Sequence, residues 1–146
     1  MKRILFGLLF FGTILMAQVT NLPVTLEFVK SNEMKIIDIR TKGEWKQMGT
    51  IKDAHLITFF DEQSKYNIKS FLEQLDKVVE KDEQFAIICN TASRTKLVSN
   101  FLGNKLNYNV VNLTGGMMKL LRDGYKVEAY DSDSEEVEQI DSNSTK

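Results

Sequence analysis

The sequence predicts an α/β fold built on a mainly parallel sheet. Three observations lead there. Three short runs, 34–39, 85–89 and 109–113, are rich in apolar and β-branched residues, as strands buried on both faces are. The segments between them carry apolar residues at helical spacing. The stretch 18–130 is long enough for one domain with its own core, and 42% of the chain is hydrophobic.

Residues 1–17 stand outside that fold. Met1, Lys2 and Arg3 give a basic start, residues 4–16 form an uncharged and mostly apolar run, and Ala17 precedes polar sequence at Gln18. A basic start, an apolar run of about 7–15 residues and a small residue at its end describe a secretory signal peptide. A membrane-spanning helix needs about 20 residues. The expectation is export, to a periplasm or otherwise out of the cytoplasm, with cleavage after Ala17 and no membrane attachment afterwards. An uncleaved N-terminal anchor is the alternative.

Within 18–130 the elements follow in order. The run 34–39 reads as a strand, and 56–58 as a further short one. Ile68, Phe71, Leu72, Leu75, Val78 and Val79 fall on one helix face. The run 85–89 is the second strong strand. A helix then starts near Arg94, carries Val98, Phe101 and Leu102, and is expected to stop at Gly103 and Asn104, which tolerate the left-handed cap conformation. The run 109–113 is the third strand. Gly115 and Gly116 make a tight strand-to-helix turn ahead of Met117. Residues 131–146 carry six acids and one lysine with almost nothing to bury, the composition of a disordered acidic tail.

Charge and composition exclude several functions. The formal net charge is −1, and 18–130 carries 16 basic and 14 acidic residues, so no basic excess points to nucleic acid. Cys89 is the sole cysteine and His55 the sole histidine, which excludes an intramolecular disulfide, a cysteine-cluster metal site and a multi-histidine metal site.

In open parallel sheets, ligands bind at the carboxyl ends of the strands. Those ends here read Asp38-Ile39-Arg40-Thr41, Cys89-Asn90-Thr91-Ala92-Ser93-Arg94 and Thr114-Gly115-Gly116. A buried free cysteine is ordinarily a small apolar filler. Cys89, however, closes a strand and opens a short polar loop leading straight into a helix. Loop N–H groups, the positive end of the helix and the Arg94 guanidinium would each stabilise a thiolate or persulfide anion. His55 has no spacing that pairs it with Cys89, and reads as a structural or surface residue.

These residues resemble the rhodanese domain, a single-domain sulfurtransferase family, from about residue 19 to 127. Residues 36–45, Ile-Ile-Asp-Ile-Arg-Thr-Lys-Gly-Glu-Trp, are similar to the family's early strand, Asp-x-Arg and acidic–aromatic helix. Residues 49–56 resemble its Gly-His-Ile-x-Gly-Ala segment, and 89–94 its Cys-x-x-Gly-x-Arg loop. Residues 112–116 resemble its late Gly-Gly turn, and Gly124-Tyr125 its close. Three positions depart from the pattern: Thr50 stands where the family has His, and Asp53 and Ala92 stand where it has Gly.

The resemblance implies a three-layer fold with helices flanking a central, mainly parallel sheet. It implies double displacement without a cofactor. Cys89 would take the outer sulfur of a small anionic donor such as thiosulfate or polysulfide, then pass it to cyanide, a thiol or a sulfur-accepting protein. Asn90, Thr91, Ala92, Ser93 and Arg94 would cradle the sulfur anion, with Arg94 either anchoring the loop or attracting the donor. Asp38 and Arg40 would support the site. Phosphatases related to this fold use a loop one residue longer; the shorter loop here suits a persulfide. A non-turnover sulfur carrier and an inactive interaction module are the alternatives.

Overall fold

The computed structural model describes residues 19–131. The expected signal peptide and the acidic tail beyond Asp131 lie outside them. Within them strands and helices alternate: β1 (Val19–Pro23), α1 (Leu26–Ser31), β2 (Ile36–Asp38), α2 (Lys42–Met48), β3 (His55–Leu56), α3 (Ile68–Leu75), β4 (Gln84–Ile88), α4 (Ser93–Leu106), β5 (Asn109–Thr114) and α5 (Gly116–Arg122). The strands form one sheet in the order β1-β5-β4-β2-β3, and every pairing is parallel. Among the described residues no helix is long and apolar enough to cross a membrane.

Strand side chains alternate between two cores, which is why the central strands read as unbroken apolar runs. Ile37, Ile39, Phe85, Ile87, Cys89 and Val110 face one layer, with Phe71 and Leu75 of α3 and Val98 and Leu102 of α4. Ile36, Ala86, Ile88, Val111 and Leu113 face the other, with Val29 of α1 and Met117 and Leu120 of α5. Helices on both faces of the sheet make the expected three layers.

Three elements differ from the sequence expectation. β1 carries no strong apolar run; it is an edge strand, half-buried at Val19 and Thr20 and exposed from Asn21 to Pro23. α3 ends at Leu75, while Val78 and Val79 reach the core from the turn beyond it. α4 runs past Gly103 and stops at Asn107, which takes the left-handed cap. Gly103 is a packing residue instead. A Cβ there would sit 2.3 Å from Val19 Cγ2, so its bare backbone lets α4 lie close to β1.

Candidate active site

The parallel sheet brings the flagged strand ends to one edge. β5, β4 and β2 are neighbours in the sheet, so Thr114, Cys89 and Asp38 emerge side by side. Ile39 N–H donates to Ile88 O at 3.0 Å, which ties the exit of β2 to the exit of β4 just before Cys89. Cys89 is fully buried, and its Sγ lies 3.8 Å from Thr95 Oγ1. The Thr95 hydroxyl donates to Ala92 O at 3.2 Å, so one side chain bridges the cysteine and its loop.

The loop backbone leaves donors without backbone acceptors next to Cys89. Ala92 is the N-cap of α4, in the left-handed region at φ 75°, and offers no side-chain cap. The first N–H groups of a helix have no intrahelical acceptor. Among the described residues none of the N–H groups of Thr91 to Arg94 is paired with a backbone acceptor. The positive end of α4 thus stands uncapped beside Cys89. Thr91 and Ser93 are exposed, with their hydroxyls 3.3 Å apart, and Asn90 is half-buried.

Both positions that depart from the resemblance by losing a Gly have positive φ, 59° at Asp53 and 75° at Ala92. A left-handed L-residue costs roughly 1–2 kcal/mol. Ala92→Gly should therefore raise the thermal midpoint by about 4 °C, measured by calorimetry. An unchanged or lower midpoint would show that the loop does not carry this strain. Thr50, the third departure, is nearly buried and pairs through its backbone with Glu128.

Gly116 supports the loop from behind. Its φ is +61°, and a Cβ on it would lie 2.4 Å from Asn90 O and 2.6 Å from Cys89 O. The helix start beyond it fastens the same backbone: Met117 N–H donates to Cys89 O at 2.9 Å and Met118 N–H to Asn90 O at 3.0 Å. The Gly-Gly turn is therefore both the expected turn and the wall of the site.

Arg94 is held by Glu44, a residue the sequence reading did not single out. Its Nη1 donates to Glu44 Oε2 at 2.7 Å and its Nη2 to Oε1 at 2.5 Å. Glu44 Oε2 also accepts from Thr41 N–H at 3.0 Å, and Thr41 Oγ1 accepts from Glu44 N–H at 3.2 Å, which completes a capping box on α2. Burial pushes the Glu44 carboxyl up, but the Arg94 hydrogen bonds, the Thr41 N–H and the Arg40 charge outweigh it and hold the carboxyl below its usual range. Glu44, and to a smaller extent the Cys89 thiol, push Arg94 above its ordinary value against the opposing effect of burial. The Glu44 contact ties the first turn of α4 to the first turn of α2.

Asp38 and Arg40 form a second, fully buried pair. Arg40 Nε lies 3.0 Å from both Asp38 oxygens, and Nη2 donates to Asp38 Oδ2 at 2.6 Å and to Gly49 O at 2.7 Å. The pair clamps the end of β2 to the end of α2.

His55 lies elsewhere. It pairs with Ile37 in β3 and lines a polar cleft with Lys35, Lys52 and Glu83. Burial and Lys35 lower its pKa against the pull of Glu83.

Comparison with known proteins agrees with this architecture. A family model, the rhodanese-like domain, matches residues 25–123. No curated protein matches the chain. Among solved structures, a rhodanese-like domain protein from Staphylococcus aureus is similar at 25% identity and a TM-score of 0.52, over 70% of this chain and 88% of that one. A rhodanese-related protein from Thermoplasma volcanium is similar at 24% identity and a TM-score of 0.54, over 71% and 92% of the two chains. A rhodanese-like domain from Anabaena sp. has a TM-score of 0.55 at 17% identity, over 82% and 78%. The last two likenesses speak for the fold alone.

Proposed function

Because the chain belongs to the rhodanese-like domain family, we propose that it is a sulfurtransferase with Cys89 as its sulfur-accepting nucleophile. One observation carries the proposal: Cys89 sits at the carboxyl edge of the sheet beside the uncapped N-terminus of α4. N–H groups aimed at a developing anion are preorganised and need no rearrangement as charge appears.

In the first half-reaction the Cys89 thiolate attacks the outer sulfur of the donor. The donor's sulfur–sulfur bond breaks, its electron pair leaves with the remainder of the donor, and Cys89 becomes a persulfide. In the second, an acceptor thiolate or cyanide attacks the outer persulfide sulfur and frees the Cys89 thiolate. Thr95 is placed to turn its hydroxyl from Ala92 O towards the sulfur when the anion forms. The loop N–H groups and the helix end hold the negative charge in both halves.

One observation favours a second reading. Cys89 has no exposed surface and belongs to the core cluster of α3 and α4, the surroundings of an inert filler. The test is mass spectrometry of the protein after incubation with thiosulfate or a hydropersulfide. A gain of about 32 Da on Cys89, one sulfur atom, is expected for the persulfide. An unmodified Cys89 with every donor would overturn sulfur transfer and leave the filler.

A further inference from the structure

The catalytic edge holds cations whose charges are already met inside the protein. Arg40 is enclosed with Asp38, both side chains fully buried. Arg94 is gripped through both of its terminal nitrogens by Glu44, with about a quarter of each side chain exposed. No residue of the loop from Asn90 to Ser93 is charged. Within the loop itself a ligand meets the row of N–H groups and the terminus of α4, whose partial charge is about half an elementary charge and not a full cation.

We propose that Glu44 is the specificity-determining residue of this site: by neutralising Arg94 it turns Cys89 away from dianionic donors such as thiosulfate and towards neutral or singly charged hydropersulfides. This rests on the sulfur-transfer reading above. Glu44 does not touch the donor; it acts through Arg94 as a positioning residue.

The two donor reactions differ in the charge brought to the thiolate. A hydropersulfide R–S–SH meets the Cys89 thiolate as a neutral sulfur group. The thiolate pair forms the new sulfur–sulfur bond, the old bond breaks, and its pair leaves on the thiolate of R, which takes up the proton that the new Cys89 persulfide releases. Thiosulfate brings two negative charges to the same thiolate, and sulfite leaves with two. An arginine free of Glu44 would offset part of that repulsion. Because Glu44 already binds it, the repulsion stands.

Glu44→Gln separates the roles of this side chain. Glutamine at the third helical position retains the capping box of α2 and removes the charge that holds Arg94. The measurement is the rate of Cys89 persulfidation under single-turnover conditions with thiosulfate and with cysteine hydropersulfide, read by alkylation quench and mass. The donor ratio is compared between wild type and variant, so that the donors' intrinsic reactivities cancel. Glu44→Gln should raise the thiosulfate rate relative to the hydropersulfide rate by about tenfold, the effect of one freed charge on a dianion near the surface. A merely structural Glu44 would instead lower both rates together, and that result would overturn the proposal.

A second measurement needs no variant. In wild type the thiosulfate rate should rise with ionic strength, because salt screens like-charge repulsion. A rate that falls with salt would mean that a cation draws the dianion in, and would overturn the proposal while sulfur transfer stands. Persulfide from neither donor would overturn both.

Discussion

Cys89→Ser should leave a protein that folds but takes up no sulfur. A serine hydroxyl is not ionised near neutral pH and is a poor nucleophile towards sulfur, so no persulfide forms. The variant should show no gain of about 32 Da with any donor, and turnover should fall to the level of the uncatalysed reaction. The fold should survive because the change alters one buried atom. Thr95 Oγ1 is already the polar neighbour, 3.8 Å from Sγ, and the new hydroxyl has a partner within reach. Burial of a hydroxyl costs roughly 1–3 kcal/mol, and a domain holds about 5–15 kcal/mol in reserve. Cys89→Ala keeps the site apolar and controls for that cost. Sulfur transfer persisting in either variant would place the nucleophile elsewhere and end the role assigned to Cys89.

Gly116→Ala should unmake the same site from behind. Two penalties coincide at this position. At φ +61° the backbone is in the left-handed region, and the new methyl would meet Asn90 O at 2.4 Å and Cys89 O at 2.6 Å. The first costs roughly 1–2 kcal/mol and the second about 1–3 kcal/mol through forced backbone shifts. The thermal midpoint should fall on the order of 10 °C. Because the displaced atoms belong to Cys89 and Asn90, sulfur transfer should fall about 100-fold, as expected for a misplacement near 1 Å. Gly124→Ala separates the penalties. Gly124 also has positive φ, +90°, but nothing lies within 4 Å of its added Cβ. It should lose stability while keeping sulfur transfer. Equal activity losses in the two variants would show that contact with the Cys89 loop is not what Gly116 supplies.

Several features of the site were legible from local pattern alone. The strands at 34–39, 85–89 and 109–113 are apolar because both faces of the sheet are covered, and a run of apolar residues records that burial directly. The Cys89 loop stands out because a strand, a short loop with three polar residues and a helix start follow one another without interruption. The resemblance, not local pattern, marks Ala92 as standing where the family has a glycine, and the structure gives that position positive φ. The Gly115-Gly116 pair signalled a turn, though not the carbonyls it would have to clear.

Glu44 and Thr95 were harder. Glu44 carries a local signal, the Thr41-x-x-Glu44 capping box, but that signal points to a helix start and says nothing of Arg94, 50 positions away. Thr95 is a polar residue in the first turn of a helix, and no local pattern marks it. Its role follows from its complete burial against Cys89.

The sequence by itself determined the α/β class, the parallel sheet, the cysteine loop at the carboxyl edge and the family. The class, the sheet and the loop rest on periodicity, turn chemistry and spacing, which act between residues close along the chain; the family rests on the resemblance of four motif segments in series. The tertiary structure alone decided which residue holds Arg94, that Asp38 and Arg40 close upon Gly49, that Gly103 admits β1, and that Gly116 backs the Cys89 carbonyl. Each is a contact between distant parts of the chain, set by how strands order themselves in the sheet and how helices settle on it. Such contacts depend on complementary shape and charge across the packed layers, and leave no periodic trace in the sequence.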